Sequence, residues 1–592
     1  MLTFLADTPL ASAVRMLGGK RYFPFPEERH DFNIPLATMR QAGPDGIVSA
    51  PEPSKTDCVT CASRSCVITN APLSSFTGNA LDKNDTRRQD PSSAKPVYNE
   101  SQLPDAMNMV DQHPDFSDQI ILVDWYGPAD PANPQNWSKW KKFRVHFIMY
   151  YVSVSVYMSA SIYSPAQTQV SEVFGVSPTI SSLGLALYVL GYGIGPMFFS
   201  PPSELPSVGR NIPYLISIGI FIVISIPTAL AQSIESLLAL RFFQGLFGSP
   251  ILATSGASLS DVSSNAAKPY ALFAFAMVCL AGPSIGTIIA GFSTPVLGWR
   301  WSLWEIMLMG GPGFILLLFL PETSHANILY RRAARLQAIA SKELCVPKLG
   351  QARGSTTTLG RFYQSLVVPW KLNLLDPSIS FTSIYCGLVY AIYYSFFEFF
   401  PLVYGDIYGM NLGEIGLVFI SVLIAVGLSF IPYAFFIRYV NNMDKIGRPV
   451  SPEGRLPPAM LASFLIPAGI FIFAWTSRAG IHWIVPTIGT MLVSGNVVVV
   501  VQTIYVYITL SYPAYTASLF SGNGLIRGVV AFAGVLWSHP LYDSMGIELG
   551  MTVMGCCCAL CIAGIFVLYF FGAQLRARSR FTRRQDTRLS KI

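Results

Sequence analysis

Charge is scarce in this chain. Only 12% of its 592 residues are Asp, Glu, Lys or Arg, about half the roughly 25% usual in soluble proteins, which excludes an ordinary soluble enzyme. No Gly-rich phosphate loop ending in Gly-Lys-Ser/Thr occurs, so ATP hydrolysis within this chain is excluded as the energy source. Cysteine is present but badly placed for structure: Cys58, Cys61 and Cys66 lie in a polar N-terminal stretch, Cys345 lies mid-chain, and the other six of the ten sit in apolar stretches. None falls in a connection assigned below to the outer side, so no structural disulfide is expected. The Cys58-x-x-Cys61 pair with Cys66 has no nearby fourth ligand, so no metal is expected. The apolar stretches hold no nucleophile–base pair and no metal cluster, and neither an enzymatic activity nor a cofactor is expected. The first residues lack the basic flank and the apolar density of a signal peptide.

What the chain has instead is apolar length. Hydrophobic residues make up 52% of it, concentrated between Arg144 and Phe571. A bilayer asks for about 20 apolar residues per crossing. Such stretches occur at 144–166, 178–200, 212–232, 236–258, 269–292, 302–320, 378–400, 415–437, 458–476, 482–504, 514–537 and 549–571. The fold class expected is an all-α membrane protein of twelve transmembrane helices in two six-helix groups. The domain plan is a polar arm over 1–143, a first bundle over 144–321, a middle loop over 322–377, a second bundle over 378–571 and a basic tail over 572–592.

Lys and Arg favour the cytoplasmic side of membrane proteins. With the N-terminus inside, the outward connections hold only Arg300 and Arg478, while Arg210, Lys268, the middle loop and the tail all face inward. A multi-pass protein of the cell membrane with both termini in the cytoplasm follows. The net charge of +7 is explained by these loops without a nucleic-acid partner. The arm, with 14 Lys/Arg against 17 Asp/Glu, reads as largely disordered, except that Leu10, Val14 and Leu17 repeat at helical spacing and predict a short surface helix over 6–18. Sequons at Asn84, Asn99 and Asn136 lie in this inside arm and should stay unglycosylated. The basic stretches 330–336 and 576–584 read as topology signals beside anionic lipid.

Charges inside a membrane are costly and mark function. The twelve stretches hold four: Arg241, Glu305, Glu398 and Arg527. Arg241, Gln244, Gly245 and Gly248 share one helix face, with a cation that can bind an anion or act on a neighbouring acid; the alternative is that Arg241 snorkels to the surface. In the fifth stretch Gly282, Gly286 and Ala290 recur every four residues around Pro283. Glu204, Gly209 and Arg210 lie in the loop after the second stretch.

Taken together, LLALRFFQG at 237–245, LAGPSIG at 280–286 and SELPSVGRN at 203–211 resemble three motifs of the major facilitator superfamily, and within it of the fungal twelve-span drug:proton antiporters. DPANPQNWSKWKK before the first span, GWRW at 298–301, PET at 321–323, FFEFFPLVY at 396–404 and PEER at 26–29 are similar to the subgroup of benomyl and methotrexate resistance carriers and cercosporin facilitators. The resemblance covers roughly 124–575. Glu204 stands where the loop motif usually has Asp, at a longer spacing from Gly209. The resemblance implies two pseudo-symmetric bundles with a substrate site between them and alternating access. It further implies proton coupling at Arg241, a conformational latch at Glu204, Gly209 and Arg210, and an antiporter motif at Gly282, Pro283 and Gly286.

The residues themselves point to Glu398 as the proton-exchanging group. It shares a helix face with Tyr390, Tyr394 and Phe397. Burial there favours the protonated acid and an approaching cationic substrate favours the ionised one, and their competition gives antiport; the alternative is that Glu398, near the outer end of its span, merely meets water. Glu305, beside Trp301 and Trp304, is a second candidate at interfacial depth. Gln244, Gln502, Asn523 and Arg527 supply polar groups to a substrate cavity with the aromatic residues of the seventh span. The expected function is a monomeric proton-coupled efflux carrier for drugs, fungicides or a toxic secondary metabolite, with a small organic substrate, protons and the lipid bilayer as partners. A proton-coupled importer of a small organic solute and a non-transporting membrane sensor remain the alternatives.

Overall fold

A computed structural model of the chain describes residues 7–18, 25–28, 40–41, 121–340, 345–347, 358–579 and 581. The chain forms two compact units, one of residues 1–39 with 123–592 and one of residues 40–122. Of the second unit only the ends are described, where β1 (Arg40–Gln41) pairs antiparallel with β2 (Ile121–Val123), Arg40 opposite Leu122. The expected disorder of the arm falls mainly on residues outside those described, as do Asn84, Asn99, Cys58, Cys61 and Cys66.

The first unit is helical. After α1 (Pro9–Gly18) come α2 (Lys139–Ser161), the short α3 (Gln167–Phe174), α4 (Pro178–Ser203), α5 (Asn211–Ala229), α6 (Ile234–Val262), α7 (Lys268–Leu297) and α8 (Trp299–Leu318). Then α9 (His325–Ala340) and α10 (Thr358–Leu375) occupy the middle loop. The second half holds α11 (Pro377–Phe400), α12 (Leu412–Lys445), α13 (Pro457–Thr476), α14 (Ile484–Ser511) and α15 (Thr516–Arg578). Helices suit an apolar medium because each satisfies its own backbone groups. Their starts are capped by side chains of the expected type: Ser138, Ser177, Ser233 and Asp376 accept first-turn amides, and Asn411 with Glu414 forms a reciprocal capping box.

Among the described residues eleven helical runs are long and apolar enough to cross a membrane. The eleventh, Ser518–Arg578, is 61 residues long and contains two of the expected stretches, because Gly546 sits inside it with φ +73° and ψ 170°. That left-handed backbone suits Gly, and it turns one run into two antiparallel crossings. With this the helices number the twelve expected. Below, the end of the molecule at which α2 begins is the arm end and the opposite one is the far end.

The described segments of the arm outside the 40–122 unit pack against the helices. The helix expected over 6–18 forms as α1, with Thr8 and Ala11 buried. The turn that follows, Pro26–Glu28, grips α9: Glu27 lies 3.2 Å from Arg332 and 3.3 Å from Arg335. Arg332 also pairs with Asp130 at 2.7 Å and lies 4.0 Å from the Tyr126 ring. Arg335 covers Phe25 at 4.0 Å, and Arg15 pairs with Glu28 at 2.6 Å. Arg332, Glu27 and Asp130 are all buried. Burial pushes the Asp130 and Glu28 carboxyls up, but the Arg332 and Arg15 guanidiniums and backbone amides outweigh it, and both are held below the ordinary carboxylate range. Burial also draws Arg335 below its usual value. The basic stretch 330–336, read from sequence as a lipid-facing topology signal, therefore spends two of its three arginines on buried acids. Asn136 is likewise structural, its amide donating to Pro128 O at 2.7 Å and Asp130 O at 3.0 Å.

The two bundles meet along two seams, α4 against α15 and α7 against α12. The α4–α15 seam depends on paired glycines: a Cβ on Gly193 would lie 2.8 Å from Gly528 Cα. On the α7–α12 seam, Phe273 stacks on Tyr433 at 4.3 Å towards the arm end, and Gly291 abuts Leu412 O and Gly416 towards the far end. Both ends of the bundle pair are therefore closed, and the apolar core runs continuously across the seams.

Candidate functional site

The middle of the molecule is a cluster of tyrosines drawn from both bundles. Tyr157 of α2 and Tyr192 of α4 meet edge to face at 5.9 Å between ring centres. On the other side Tyr390 and Tyr394 of α11 lie 5.1 Å apart, and Phe397 continues the face to Phe419 at 4.9 Å. The i, i+4, i+7 spacing that put Tyr390, Tyr394 and Phe397 on one face in the sequence is what delivers them here. All five of these Tyr and Phe side chains from α2, α4 and α11 are buried.

Arg527 of α15 stands among them, its guanidinium carbon 4.5 Å above the Tyr390 ring, with Tyr157, Tyr192 and Tyr505 as its other electrostatic neighbours. Asn523, one turn earlier, accepts from Tyr505 at 3.0 Å and reaches Ser383 at 3.4 Å. Gln502 is buried one turn before Tyr505 on α14. Among the described residues Arg527 Nε and the hydroxyls of Tyr192, Tyr390 and Tyr394 have no hydrogen-bond partner, and Arg527 forms no ion pair with an acid. Buried polar groups left unmatched are uncommon, and these four stand together where the two bundles meet.

Towards the far end the same face of α11 presents Glu398, which is 2% exposed and so does not simply meet water. Its Oε1 accepts from Gln167 Nε2 at 2.9 Å, and its Oε2 lies 3.1 Å from His539 Nε2. Gln167 starts α3 in the first bundle and His539 belongs to α15 in the second, so this one carboxylate joins both. Next to it Ser164 donates to Phe397 O at 2.9 Å, and deeper in, Tyr393 donates to Leu280 O of α7 at 2.6 Å. Neither Gln167 nor His539 was singled out from the sequence. Both fall at the ends of apolar stretches, and a search for histidine as well as fully charged residues near the span ends would have found His539.

Arg241 is fully buried and does not snorkel. Its Nε donates to Gly184 O at 3.0 Å, Nη1 to Ser159 O at 2.8 Å and to Gln244 Oε1 at 3.1 Å, and Nη2 to Ala160 O at 2.9 Å. Tyr188 lies under its face at 4.7 Å. Gln244 passes the network on to Ser225 at 2.7 Å, so both its amide groups are engaged inside the first bundle and away from the central cluster. Arg241 thus ties the far-end turn of α2 to α4 and α6. Beside it, Gly282 and Gly286 let α7 lie against α2: a Cβ at Gly282 would meet Tyr157 Cβ at 2.7 Å, and Ser161 donates to Pro283 O at 2.5 Å. Glu305 of α8 is buried at 7% exposure, and its Oε2 has no hydrogen-bond partner among the described residues. It lies in a different part of the first bundle's far end from Glu398, next to Ser293 of α7.

At the arm end the loop between α4 and α5 is held by an acid that was not among the expected latch residues. Glu322 accepts from the amides of Arg210 at 3.2 Å, Asn211 at 3.3 Å, Thr323 at 3.0 Å and Ser324 at 3.0 Å. The Arg210 side chain pairs with Asp261 of α6 at 2.8 Å. Gly209 has φ +75°, and a side chain there would run into Glu322 and Asn327. Glu204 is exposed at the end of α4. The PET stretch at 321–323 carried the signal for Glu322, since it directly follows the sixth span.

Residues 149–535 match the sequence profile of the Major Facilitator Superfamily. The chain is 44% identical to the MFS-type transporter pyvG of Aspergillus violaceofuscus over 462 residues, covering 78% of this chain and 85% of that one. It is 35% identical to the cycloheximide resistance protein of Candida maltosa, over 73% of this chain and 80% of the relative. With fluconazole resistance protein 1 of Saccharomyces cerevisiae it shares 33% identity over 78% of this chain and 85% of the relative. Among solved structures, the proton:xylose symporter XylE bound to 6-bromo-6-deoxy-D-glucose superposes with a TM-score of 0.54 at 13% identity, covering 73% of this chain and 97% of the other. That likeness concerns the fold.

Proposed function

The chain belongs to the Major Facilitator Superfamily, and on that premise we propose that it is an efflux carrier that exports small, toxic organic molecules from the cell in exchange for protons. Relatives named for cycloheximide and fluconazole resistance and for efflux support export over uptake. In this reading the chain is a carrier and not an enzyme. It sits as a monomer in the plasma membrane, with the arm end and both termini in the cytoplasm.

The observation that carries proton coupling is the position of Glu398. Its carboxylate is a buried acceptor for a donor from the first bundle, Gln167, and lies in contact with His539 of the second. Protonation removes the negative charge that binds the two, which loosens the far-end closure. Deprotonation restores the acceptor and draws the bundles together. One proton taken up from outside by Glu398 and released to the cytoplasm is thereby tied to one cycle of access, and a ligand can shift the same equilibrium only by binding the two states unequally. The tyrosine cluster beside Glu398 supplies the substrate site, and Arg241 holds the far-end turn of α2, after which the chain leads on to Ser164 and Gln167. Glu305 is the secondary candidate for a proton site, and Arg210 with Gly209, Glu204 and Glu322 forms the arm-end latch.

The test is transport by the purified full chain in proteoliposomes. Glu398→Gln should abolish accumulation of an exported compound driven by an imposed pH gradient while leaving substrate counterflow, which needs no net proton movement. Gradient-driven transport that survives the substitution would remove Glu398 from the coupling step.

A further inference from the structure

Resting on the reading of the chain as an exporter, we propose that its central site is built for aromatic organic acids in their anionic form, and that Arg527 is the residue that reads substrate charge. An aromatic-lined site in a drug carrier suggests lipophilic cations at first sight, because cations favour the faces of Tyr rings. Here that place is taken. The Arg527 guanidinium already lies 4.5 Å above Tyr390, and a second cation against the same rings would meet a like charge in a medium that screens it poorly.

The balance of charge points the same way. Arg241, fully buried within the spans, has its donors matched by three backbone carbonyls and Gln244, whereas Arg527 is half-buried. Arg527 has none of this: its Nε is unmatched, and among the described residues no acid pairs with it. Glu398 is engaged with Gln167 and His539, and Glu305 sits on α8 in the first bundle. A cation in the middle of a membrane protein is costly without compensation. The hydroxyls of Tyr192, Tyr390 and Tyr394 cluster with one another and with Tyr157, and none makes a well-formed hydrogen bond to an acceptor outside the cluster among the described residues. A fixed positive charge with several hydroxyl donors around it is the complement of a carboxylate, which a guanidinium binds through two parallel hydrogen bonds. Tyr157 and Tyr192 on one side and Tyr390 and Tyr394 on the other supply the faces on which an attached aromatic ring packs edge-to-face or offset.

The experiment uses the full chain in proteoliposomes with three probes on one planar aromatic skeleton: the carboxylate, its carboxamide and its aminomethyl cation. The carboxylate should move best. Arg527→Gln should raise its KM by about tenfold or more, the usual effect of losing a charged hydrogen-bonding partner, while the carboxamide changes little; Arg527→Lys should keep the preference for the acid with weaker binding. Best transport of the aminomethyl compound would overturn the proposal, and so would an equal loss of all three probes in Arg527→Gln, which marks a structural role. If a panel of neutral and cationic drugs moves with an imposed pH gradient and the carboxylate does not, the substrate class fails and the exporter reading stands. If nothing in either set moves, the exporter reading itself fails.

Discussion

Gly193 of α4 and Gly528 of α15 touch backbone to backbone across the seam between the bundles, so that a Cβ built on either would lie 2.8 or 2.7 Å from the other's Cα. This contact lies at the depth of the tyrosine cluster, one residue from Tyr192 and one from Arg527, and must part if the bundles are to separate there. Leu at either position should hold the seam apart, with export reduced by tenfold or more at unchanged surface abundance. Ala should give an intermediate loss, even though Ala in a helix is favoured over Gly by about 1 kcal/mol. Transport assays at matched expression check both, and full activity of Gly193→Leu would show that the seam does not form in the working cycle.

Arg241 is expected to matter through geometry more than charge. Arg241→Ala takes a donor from Gly184 O and leaves the last-turn carbonyls of Ser159 and Ala160 without this partner, and each orphaned buried group costs about 1–3 kcal/mol. Lys offers no planar fork and cannot reach all three, so Arg241→Lys should fail to rescue. The measurement is thermal unfolding in detergent beside transport: both variants should lose stability and activity together. A stable but inactive Arg241→Lys would instead assign the residue a direct part in coupling.

The clasp between the arm and α9 is open to a similar test. Removing one partner of a buried ion pair typically costs about 3–5 kcal/mol because the other charge is stranded. Glu27→Gln and Arg332→Met should therefore lower thermal stability and expose residues 7–28 to proteolysis. Glu28→Gln, at a partly exposed pair with Arg15, should do far less. Equal protection of residues 7–28 in all three variants would contradict the clasp.

The clasp also has a defined response to pH. Asp130 and Glu28 are held below their ordinary values of 3.8 and 4.5. Carboxyls shifted this way add stability that is complete above those values and is lost as pH falls through the lowered ones. Hydrogen exchange over 7–28 should therefore be as slow at pH 6 as at pH 8 after correction for the intrinsic rate, and should quicken only in acid below about pH 4. A release of the segment between pH 6 and pH 8 would point to a different titrating group.

How much of this was legible beforehand differs from residue to residue. Tyr390, Tyr394 and Phe397 share a face because helical spacing alone dictates it, and the structure has them side by side. Arg527 stood out as a charge in an apolar stretch, yet nothing in its neighbourhood along the chain foretold that it would face tyrosines from α2 and α4 and, among the described residues, no acid. Glu322 and Asp261 went unnoticed as partners of the 209–211 loop, since both lie at least about 50 residues from it, and Glu322 binds through backbone amides that nearly every residue possesses. The arginines of 330–336 looked like solvated or lipid-facing charge because their acids, Glu27 and Asp130, are about 300 and 200 positions away.

The sequence by itself determined the fold class, the number of crossings and the division into two halves. Those follow from the length of apolar runs and the sparseness of charge, which a bilayer reads directly and locally. Tertiary structure alone decided which charges are satisfied. Arg241 spends its hydrogen bonds on carbonyls, Arg332 on two buried acids, and Glu398 on Gln167 and His539, while Arg527 pairs with no acid among the described residues. A side chain's electrostatic role depends on what packing brings within a few ångströms of it, and in a bundle of twelve helices those neighbours come from the far ends of the chain.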